Sequence, residues 1–247
     1  MIDYSFIWLI SHSIIKFLKL KRTKFKKKLE KKIMKIEDNV YALESTKGSY
    51  SYLIKDKETI LIDTGRPGKV KNILKEIDSI NIKPKNIKHI LLTHHDVDHI
   101  GNAALLQKET GATLWASKED IPYIFGDKSR PGVKKLGSLY AFLMRVKKPE
   151  NIESYNDQKI DDIEIIRTPG HTPGHVSFLY KDVLFAGDLV RNSNGVLKKA
   201  PSIMNADEEL IKDSIFKMSE YSFKWVCPCN GEPLEVKDEW KQLLNNI

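Results

Sequence analysis

The 247-residue sequence predicts a globular α/β fold. Hydrophobic residues make up 41% of the chain and aromatic residues 9%, which is enough to bury a sizeable core and argues against disorder. From residue 36 onward, short runs of β-forming residues alternate with segments of helical periodicity, and neither a low-complexity segment nor a short-period repeat interrupts them. The length suits one large domain or two small ones.

The individual elements follow from the periodicity of the apolar residues and from the turn residues between them. Strands are predicted at residues 40–43, 50–55, 59–62, 89–93, 112–116, 163–168, 176–180, 183–186 and 224–227. Helices are predicted at residues 67–77, 101–109, 207–219 and 236–244, with a less regular helical insertion at residues 121–148. Pro67 supports the first helix, because proline is tolerated in a first helical turn.

The positive charge of the chain is concentrated in its first 35 residues. That segment holds 11 Lys or Arg against Asp3 and Glu30, a balance of +9, whereas the whole chain carries +8. Residues 36–247 therefore carry −1, which gives no electrostatic reason to expect a nucleic-acid partner. We divide the chain into a basic amphipathic extension, residues 1–35, and one domain, residues 36–247.

The extension combines an apolar stretch, residues 6–20 (FIWLISHSIIKFLKL), with the basic run that follows it. The stretch is short for a membrane span of roughly 20 residues, and its charges are not ordered as in a cleavable secretion signal. Residues 6–32 suit a helix lying on an anionic membrane surface, or equally a solvated basic helix packed on its own domain. Both alternatives predict a cytoplasmic domain, in the first case at the inner face of the membrane.

The two cysteines, Cys227 and Cys229, are separated by one residue, a spacing at which a disulfide is strained. No disulfide framework can be built from them, which favours a reducing compartment. We expect them to end a buried strand, although Cys229 is also a soft metal ligand.

Metal-capable side chains are densest in residues 94–99 (HHDVDH), directly after the strand predicted at residues 89–93. Imidazoles and carboxylates are ligands that suit zinc, iron or manganese. Asp and His also cap helices and form turns, but a solvated loop rarely needs such a density of them. Because α/β proteins carry their chemistry in loops at strand ends, this run predicts a metal site.

Two later loops follow β-type runs and carry the same kinds of side chain. Residues 168–175 (TPGHTPGH) hold His171 and His175 between prolines and glycines that stiffen the loop, and residues 185–188 (FAGD) end in Asp188. Taken alone, a His or Asp at a strand end is more often a cap or a hydrogen-bonded surface group.

These motifs, in this order, resemble the metallo-β-lactamase superfamily. The similarity rests on residues 61–65 (LIDTG), 93–101 (THHDVDHIG), 168–175 and 187–188, and it extends over about residues 38–247. It implies a four-layer αββα sandwich, in which two sheets pack face to face with helices outside. It also implies a site at the sheet edge that typically binds two metal ions. Within the superfamily, the chain looks most like the glyoxalase II and lactonase branch.

Carried over residue by residue, the resemblance implies six metal ligands. Each metal would have its own set, and one aspartate would bridge the two: His94, Asp96 and His171 on the first metal, Asp98 and His99 on the second, and Asp188 between them.

The resemblance also implies roles for three other positions. Asp63 matches an aspartate that orients a ligating imidazole. Asn230 stands where the family usually has its last histidine ligand, and it offers only a neutral amide oxygen. His175 is expected to be a hydrogen-bonded loop histidine or a neighbour of the substrate rather than a ligand.

Asp96 is a second departure from the family pattern, since it replaces a histidine. Three carboxylates and a bridging hydroxide carry four negative charges, which two divalent ions just neutralise. A metal-bound water would then have a pKa above the value of about 7 that zinc reaches in imidazole-rich sites. We expect one or two divalent ions, with zinc the commonest in the family, iron or manganese favoured by Asp96, and the second ion weakly held or absent.

Together these features predict a metal-dependent hydrolase of an ester-, thioester- or lactone-like bond in a small-molecule substrate. A metal-bound hydroxide would attack the carbonyl, and catalytic Asp98 would orient it and pass its proton to the leaving group. The substrate pocket is expected against the insertion. Its larger apolar side chains either form a lid or pack the insertion on the core: Tyr123, Phe125, Tyr140, Phe142 and Met144.

Other classes of function fit the same residues. An iron-dependent oxidoreductase or dioxygenase is one, because the flavo-diiron proteins of the superfamily carry a carboxylate at the position of Asp96, although the chain leaves no room for their flavin domain. A membrane-docked protein with a non-catalytic metal site is another. A nuclease is disfavoured by the charge of residues 36–247 and by the missing additional domain. The motifs specify neither the substrate nor the oligomeric state.

Overall fold

The structure is a computed structural model that describes residues 33–155 and 160–247. The interpretation of residues 6–32 as a membrane-surface helix falls outside these residues. Within them, the helices are all too short or too polar to cross a membrane. The strands position the candidate site.

The described part contains fourteen strands. In chain order they are β1 (Met34–Glu37), β2 (Val40–Ala42), β3 (Tyr52–Lys55), β4 (Thr59–Ile62), β5 (Ile87–Leu91), β6 (Thr113–Ala116), β7 (Glu153–Ser154), β8 (Ile163–Arg167), β9 (Val176–Tyr180), β10 (Val183–Gly187), β11 (Val190–Ser193), β12 (Val196–Lys199), β13 (Trp225–Pro228) and β14 (Leu234–Glu235).

The same residues form seven α-helices, of which the longest have ten residues. They are α1 (Val70–Asp78), α2 (Val97–Ile100), α3 (Ala103–Thr110), α4 (Ile121–Phe125), α5 (Lys134–Leu143), α6 (Glu208–Lys217) and α7 (Glu239–Leu244).

The strands form two large sheets and one hairpin. The first sheet has the order β1-β2-β3-β4-β5-β6-β7, antiparallel as far as β4 and parallel from β4 to β7. The second has the order β14-β13-β10-β9-β8, in which only the β10–β13 pair is parallel. Strands β11 and β12 pair with each other as a separate hairpin.

Alternation of side chains within the strands builds the layers. In β4, Ile60 and Ile62 point into the core between the sheets, where they meet Phe178 and Phe185 of the second sheet. Leu61, on the opposite face of the same strand, packs under the helices. Because successive side chains of a strand point to opposite faces, a strand buried on both faces reads as a continuous apolar run.

Helices cover the outer face of each sheet. Ile73 and Ile77 of α1 pack on the outer face of the first sheet, and Ile211 and Ile215 of α6 pack on that of the second. Trp240 of α7 joins the same outer cluster. The predicted four-layer αββα sandwich is therefore confirmed.

Each predicted element is present, with shifted boundaries in some cases, whereas strands β1, β7, β11, β12 and β14 and helix α2 were not predicted. The first helix begins at Val70 rather than residue 67, because Gly68 has a left-handed φ of +82°. Strand β5 ends at Leu91 rather than residue 93, and the Thr93 N–H donates to the Asp63 carboxylate instead of to a strand. The last helix begins at Glu239 rather than residue 236. The boundaries of these elements depend on contacts in turns and loops, which the periodicity of apolar residues does not reveal.

Candidate metal centre

Five strand ends meet at one edge of the sandwich. Strands β4 and β5 are parallel, so their carboxyl ends share one edge of the first sheet. In the second sheet, β8 and β10 both run antiparallel to β9, and β13 is parallel to β10, so these three strands point the same way. The loops after these five strands carry all nine residues for which the sequence predicted a role at or beside the site.

Three of these residues bring their ligating atoms together as the first metal position requires. The ligating atoms of His94, Asp96 and His171 all lie within 4.8 Å of one another. Asp96 Oδ2 is 3.6 Å from His94 Nε2 and 3.1 Å from His171 Nε2. These separations suit three ligands around one ion with bonds of about 2.0–2.2 Å.

Hydrogen bonds orient His94 and His99 toward the site. The Thr93 hydroxyl lies 2.8 Å from Asp63 Oδ2 and donates its proton there, so its lone pairs are left to accept from His94 Nδ1 at 3.0 Å. His99 Nδ1 lies 2.8 Å from the same Asp63 oxygen. A carboxylate cannot donate, so His99 Nδ1 carries the proton in this pair. Through these hydrogen bonds Asp63 leaves the Nε2 lone pair of both histidines facing inward, which is the geometry needed to orient metal ligands.

His171 is oriented in the same way from a different direction. Its Nδ1 lies 3.0 Å from Asn205 Oδ1, and an amide oxygen only accepts, so its Nε2 bears the lone pair. The Nε2 of His175 instead accepts the backbone N–H of Asp188 at 3.1 Å. His175 thus occupies its lone pair within the fold, in agreement with the expectation of a hydrogen-bonded loop histidine.

The second position is built differently from the first. Ligating atoms of Asp98, His99 and Cys229 lie within 4.8 Å of one another, and Ser49 Oγ donates to Asp98 Oδ2 at 2.6 Å. Asn230 directs its amide nitrogen to Asp188 Oδ1 at 2.9 Å. In this arrangement the Asn230 amide nitrogen donates to Asp188, and Cys229 offers its Sγ as a donor atom beside Asp98 and His99. Burial raises the pKa of the Cys229 thiol to about 12, so ligation would require the loss of a tightly held proton.

Asp188 lies between the two positions. Its Oδ2 is 3.6 Å from His171 Nε2, and its Oδ1 is 3.3 Å from His99 Nε2. It follows Gly187, whose φ is +54° and at which a Cβ atom would lie 2.7 Å from His175 Nε2. Glycine is therefore required at the end of β10 to bring the carboxylate this close to the histidines.

The electrostatics of the cluster favour a bound cation. Burial alone would raise the pKa of Asp188, but the neighbouring imidazole of His99 holds it well below its usual range. Burial alone would lower the pKa of His99, but Cys229, Asp63 and Asp188 together raise it well above its usual value. Both shifts mark a site that stabilises added positive charge.

The donor atoms fit divalent metal ions. His94 Nε2 and His99 Nε2 are buried and have no hydrogen-bond partner among the described residues. Leaving a buried nitrogen without a partner costs about 1–3 kcal/mol, so two such atoms beside three carboxylates indicate the place of an ion. His94, Asp96 and His171 would hold a first ion and Asp98 and His99 a second, with Asp188 between them.

The structure adds three charged residues that the sequence did not predict. Lys134 directs its Nζ to Asp96 Oδ2 at 2.7 Å. Arg130 donates from Nη2 to the backbone oxygen of His95 at 2.7 Å. Asp120 accepts from the backbone N–H groups of His95 and Gly174, each at 2.9 Å. All three come from the insertion or the residue before it, where nothing in the local pattern distinguishes them from surface charges.

The insertion contains the helices α4 and α5 and borders the site. Tyr123 stacks on the ring of His95 at 4.4 Å, and both Tyr123 and Phe142 line a cavity of about 530 Å³. Other apolar side chains of α5 face solvent, including Leu136 at 69% exposure. Of the two predicted alternatives, the stacking of Tyr123 on His95 follows the packing one, and a lid over the substrate stays a prediction. The predicted lid residues Tyr140 and Met144 are exposed, and Phe125 is half-buried.

The chain resembles known proteins in sequence and in fold. A sequence model of the metallo-beta-lactamase superfamily matches residues 46–229. The chain is 30% identical over 159 residues to a probable metallo-hydrolase of Methanocaldococcus jannaschii, a match that covers 64% of each protein. It is 31% identical over 142 residues to a hydroxyacylglutathione hydrolase of Haemophilus influenzae, covering 55% of this chain and 62% of that enzyme. The chain thus spans less than two thirds of these relatives.

Solved structures share the fold at lower identity. An archaeal metallo-beta-lactamase superfamily protein from Sulfolobus tokodaii superposes with a TM-score of 0.64 at 21% identity, covering 84% of this chain and 85% of that one. The Rm3 metallo-beta-lactamase superposes with a TM-score of 0.62 at 20% identity, covering 80% and 77%. These similarities support the fold alone.

Proposed function

Because the chain belongs to the metallo-β-lactamase superfamily, we propose that it is a metal-dependent hydrolase of an ester-, thioester- or lactone-like bond in a small anionic substrate. One observation carries the proposal. The unpartnered Nε2 atoms of His94 and His99 converge with Asp188 at the edge where five strands end. Burying such a cluster lowers the stability of a fold, and clusters of this kind are typical of active sites.

The bound metal would supply Lewis acidity, lowering the pKa of a water molecule and polarising the scissile carbonyl. The remaining work falls to the side chains. Asp63 and Asn205 hold the imidazoles of His99 and His171 with their lone pairs inward. Their orientation is therefore fixed before substrate binds, which lowers the reorganisation needed during reaction.

Asp98 is the proposed proton carrier. The Ser49 hydroxyl donates to its Oδ2 at 2.6 Å, which fixes the carboxylate plane and leaves Oδ1 to accept a proton from the attacking water. The same group then protonates the leaving oxygen or sulfur. An aspartate is suited to this transfer because it is anionic at neutral pH and becomes an acid on accepting the proton.

The cavity lined by the insertion supports an anionic substrate. Its lining contains no Asp or Glu and five cationic side chains: Lys128, Arg130, Arg145, Lys147 and Lys148. Arg130 is only 8% exposed, and its Nε has no hydrogen-bond partner among the described residues. A buried guanidinium with an unused donor suits a carboxylate or phosphate group of a ligand. Some relatives are named hydroxyacylglutathione hydrolases, which favours a thioester among the three substrate types.

Metal analysis combined with a substrate panel tests this function. We expect native protein to contain a divalent transition metal and to hydrolyse at least one anionic ester, thioester or lactone. His94→Ala and Asp188→Ala should lose metal and at least about 100-fold in kcat/KM, an effect of the size expected for removing an essential catalytic group. His89→Ala is the matched control, because His89 pairs with Glu58 outside the cluster. Native protein that binds no transition metal would rule the proposal out.

An iron-dependent oxidoreductase is the second candidate, and one observation favours it. His94, His99 and Asp188 bring their ligating atoms within 4.8 Å of one another. Two histidines and one carboxylate form the ligand set of many non-haem iron oxygenases. Iron in the purified protein, together with substrate-dependent oxygen uptake, would select this candidate over the hydrolase.

A further inference from the structure

Lys134 is buried within the candidate metal centre. Its side chain is 5% exposed, although lysine is almost never buried without a partner. The ammonium lies 2.7 Å from Asp96 Oδ2, 3.1 Å from His171 Nε2 and 3.1 Å from the backbone oxygen of His171. Two of these three contacts are with the atoms that would ligate the first metal ion.

Lys134 and a first metal ion compete for one lone pair. His171 Nδ1 carries the ring proton and donates it in a hydrogen bond to Asn205 Oδ1. The other ring nitrogen, Nε2, is therefore unprotonated and has a single in-plane lone pair. That lone pair either accepts an N–H of Lys134 or binds a metal. Asp96 Oδ2, the other shared atom, is already bonded to the ammonium. A metal ion at this position would therefore have to displace Lys134.

The charges permit the same result. Asp96, Asp98 and Asp188 carry three negative charges, and Lys134 carries one positive charge. One divalent ion is enough to neutralise the remaining two negative charges. Asp96 and Lys134 thus act as a neutral pair at a position where the family pattern has a neutral histidine, and the pair offsets the extra negative charge that the sequence predicted for this site.

Helix α5 brings Lys134 to this position. Lys134 is its first residue, and the helix crosses α2 closely enough that a Cβ at Gly137 would touch Val97 Cγ2 at 3.6 Å. Val97 lies between Asp96 and Asp98 of the metal motif. The lysine is therefore fixed by packing of the insertion on the motif itself.

We propose that the Lys134 ammonium takes the place of the first metal ion. The chain then holds one divalent ion, bound by His94, His99 and Asp188, with Lys134 as a fixed positive charge beside it. The proposal rests on the proposed function only in requiring that the site binds metal. The two imidazole nitrogens of this set are the ones left without a hydrogen-bond partner among the described residues.

Metal stoichiometry tests the proposal without any measurement of turnover. Each protein is stripped with chelator, titrated with Zn²⁺ in a calorimeter, and analysed for bound zinc after desalting. We expect one ion per chain in the natural protein and two in Lys134→Met, where the lone pair of His171 is released. Lys135→Met, which changes an exposed lysine next along the same helix, should hold one.

A second variant keeps the test decisive if Lys134→Met fails to fold. In the natural background, His171→Ala should retain its single ion, because His171 bonds to the lysine rather than to metal. Loss of one ion in His171→Ala, or two ions in the natural chain with affinities equal to those of Lys134→Met, would overturn the proposal. Absence of zinc from every variant would instead refute the proposed function.

Discussion

The loops at the strand ends and the insertion at residues 121–148 contribute to one site in opposite ways. In the strand-end loops, one ring nitrogen of each candidate ligand histidine is tied to a fixed partner, as His99 is to Asp63 and His171 to Asn205. The insertion leaves large apolar side chains such as Phe142, at 78% exposure, in solvent, yet it sends Lys134 and Arg130 into the centre. The first region carries the metal motif, and the second adds charged side chains around it.

The difference in packing between the two regions indicates where substrate specificity can change. The strand ends are constrained by two packed sheets, so a change there alters the metal site itself. The insertion packs on one side only and can change its charges with less effect on the fold. A superfamily can therefore keep one metal-binding edge and vary its substrates through a segment of this kind.

Asp120 joins the two regions, and its removal should have a large effect on stability. It is fully buried and accepts from His95, Thr172 and Gly174, which belong to two different motif loops. Asp120→Ala leaves these donors without a partner, so we expect the free energy of unfolding to fall by about 3–5 kcal/mol. Urea denaturation measures it, with Asp127→Ala as the control, since Asp127 is exposed.

The Asp120 contribution should also depend on pH. Burial alone would raise its pKa, but its hydrogen bonds with His95, Thr172 and Gly174 and the charge of His95 lower it below 3.8. A carboxylate with a lowered folded-state pKa stabilises the fold above its unfolded-state pKa and loses that contribution as the pH falls through the lowered value. The gap between wild type and Asp120→Ala should therefore narrow only at acidic pH. A gap that is constant down to acid unfolding would contradict the ion-paired role.

Substitution of Arg130 tests the contribution of the insertion separately from that of the strand-end loops, and its expected effect is the next largest. Loss of a charged hydrogen bond costs about 1.5–3 kcal/mol, so Arg130→Gln should raise KM about 10- to 100-fold for anionic substrates and leave kcat nearly unchanged. Steady-state kinetics on paired anionic and neutral substrates measures it, and Lys128→Gln, at an exposed position of the same cavity, should have a smaller effect. Equal losses for both substrates would mean that Arg130 shapes the loop and does not bind charge.

The exposed face of α5 should give the smallest effect. Phe142→Ser removes a side chain that is mostly in solvent, so the free energy of unfolding should change by no more than about 0.5 kcal/mol. Phe178→Ala, between the two sheets, should cost about 3–5 kcal/mol. Comparison of the two by urea denaturation sharpens the contrast, and a large loss in Phe142→Ser would show that α5 is part of the core.

The elements buried on both faces were those the sequence predicted best. Strands β4 and β9 begin and end at the predicted residues, because apolar runs bounded by turn residues mark a strand that packs on both sides. The hairpin of β11 and β12 was missed, since its residues are mostly polar. Asn194-Gly195, with φ of +55° and +86°, was the available signal, because that dipeptide favours a tight hairpin turn.

For the site, sequence reasoning found the residues whose position follows from the chain itself. The metal motif directly follows a strand, and strands that point the same way bring their ends together. Lys134 and Arg130 lie on the insertion, where their local pattern resembles any solvated helix. Only the packing of α5 on α2 gives them a role, and such packing depends on contacts between segments distant in sequence.

The candidate ligands come from both sheets, and this has a consequence for unfolding. His94 and His99 follow a strand of the first sheet, whereas His171 and Asp188 follow strands of the second. An ion held across this edge is a cross-link that exists only while the sheets are docked. By mass action, any excess of that ion over its dissociation constant adds to the free energy of separating the sheets. The amount of available metal would then set how cooperatively the two halves of the sandwich unfold, as well as whether the site can work.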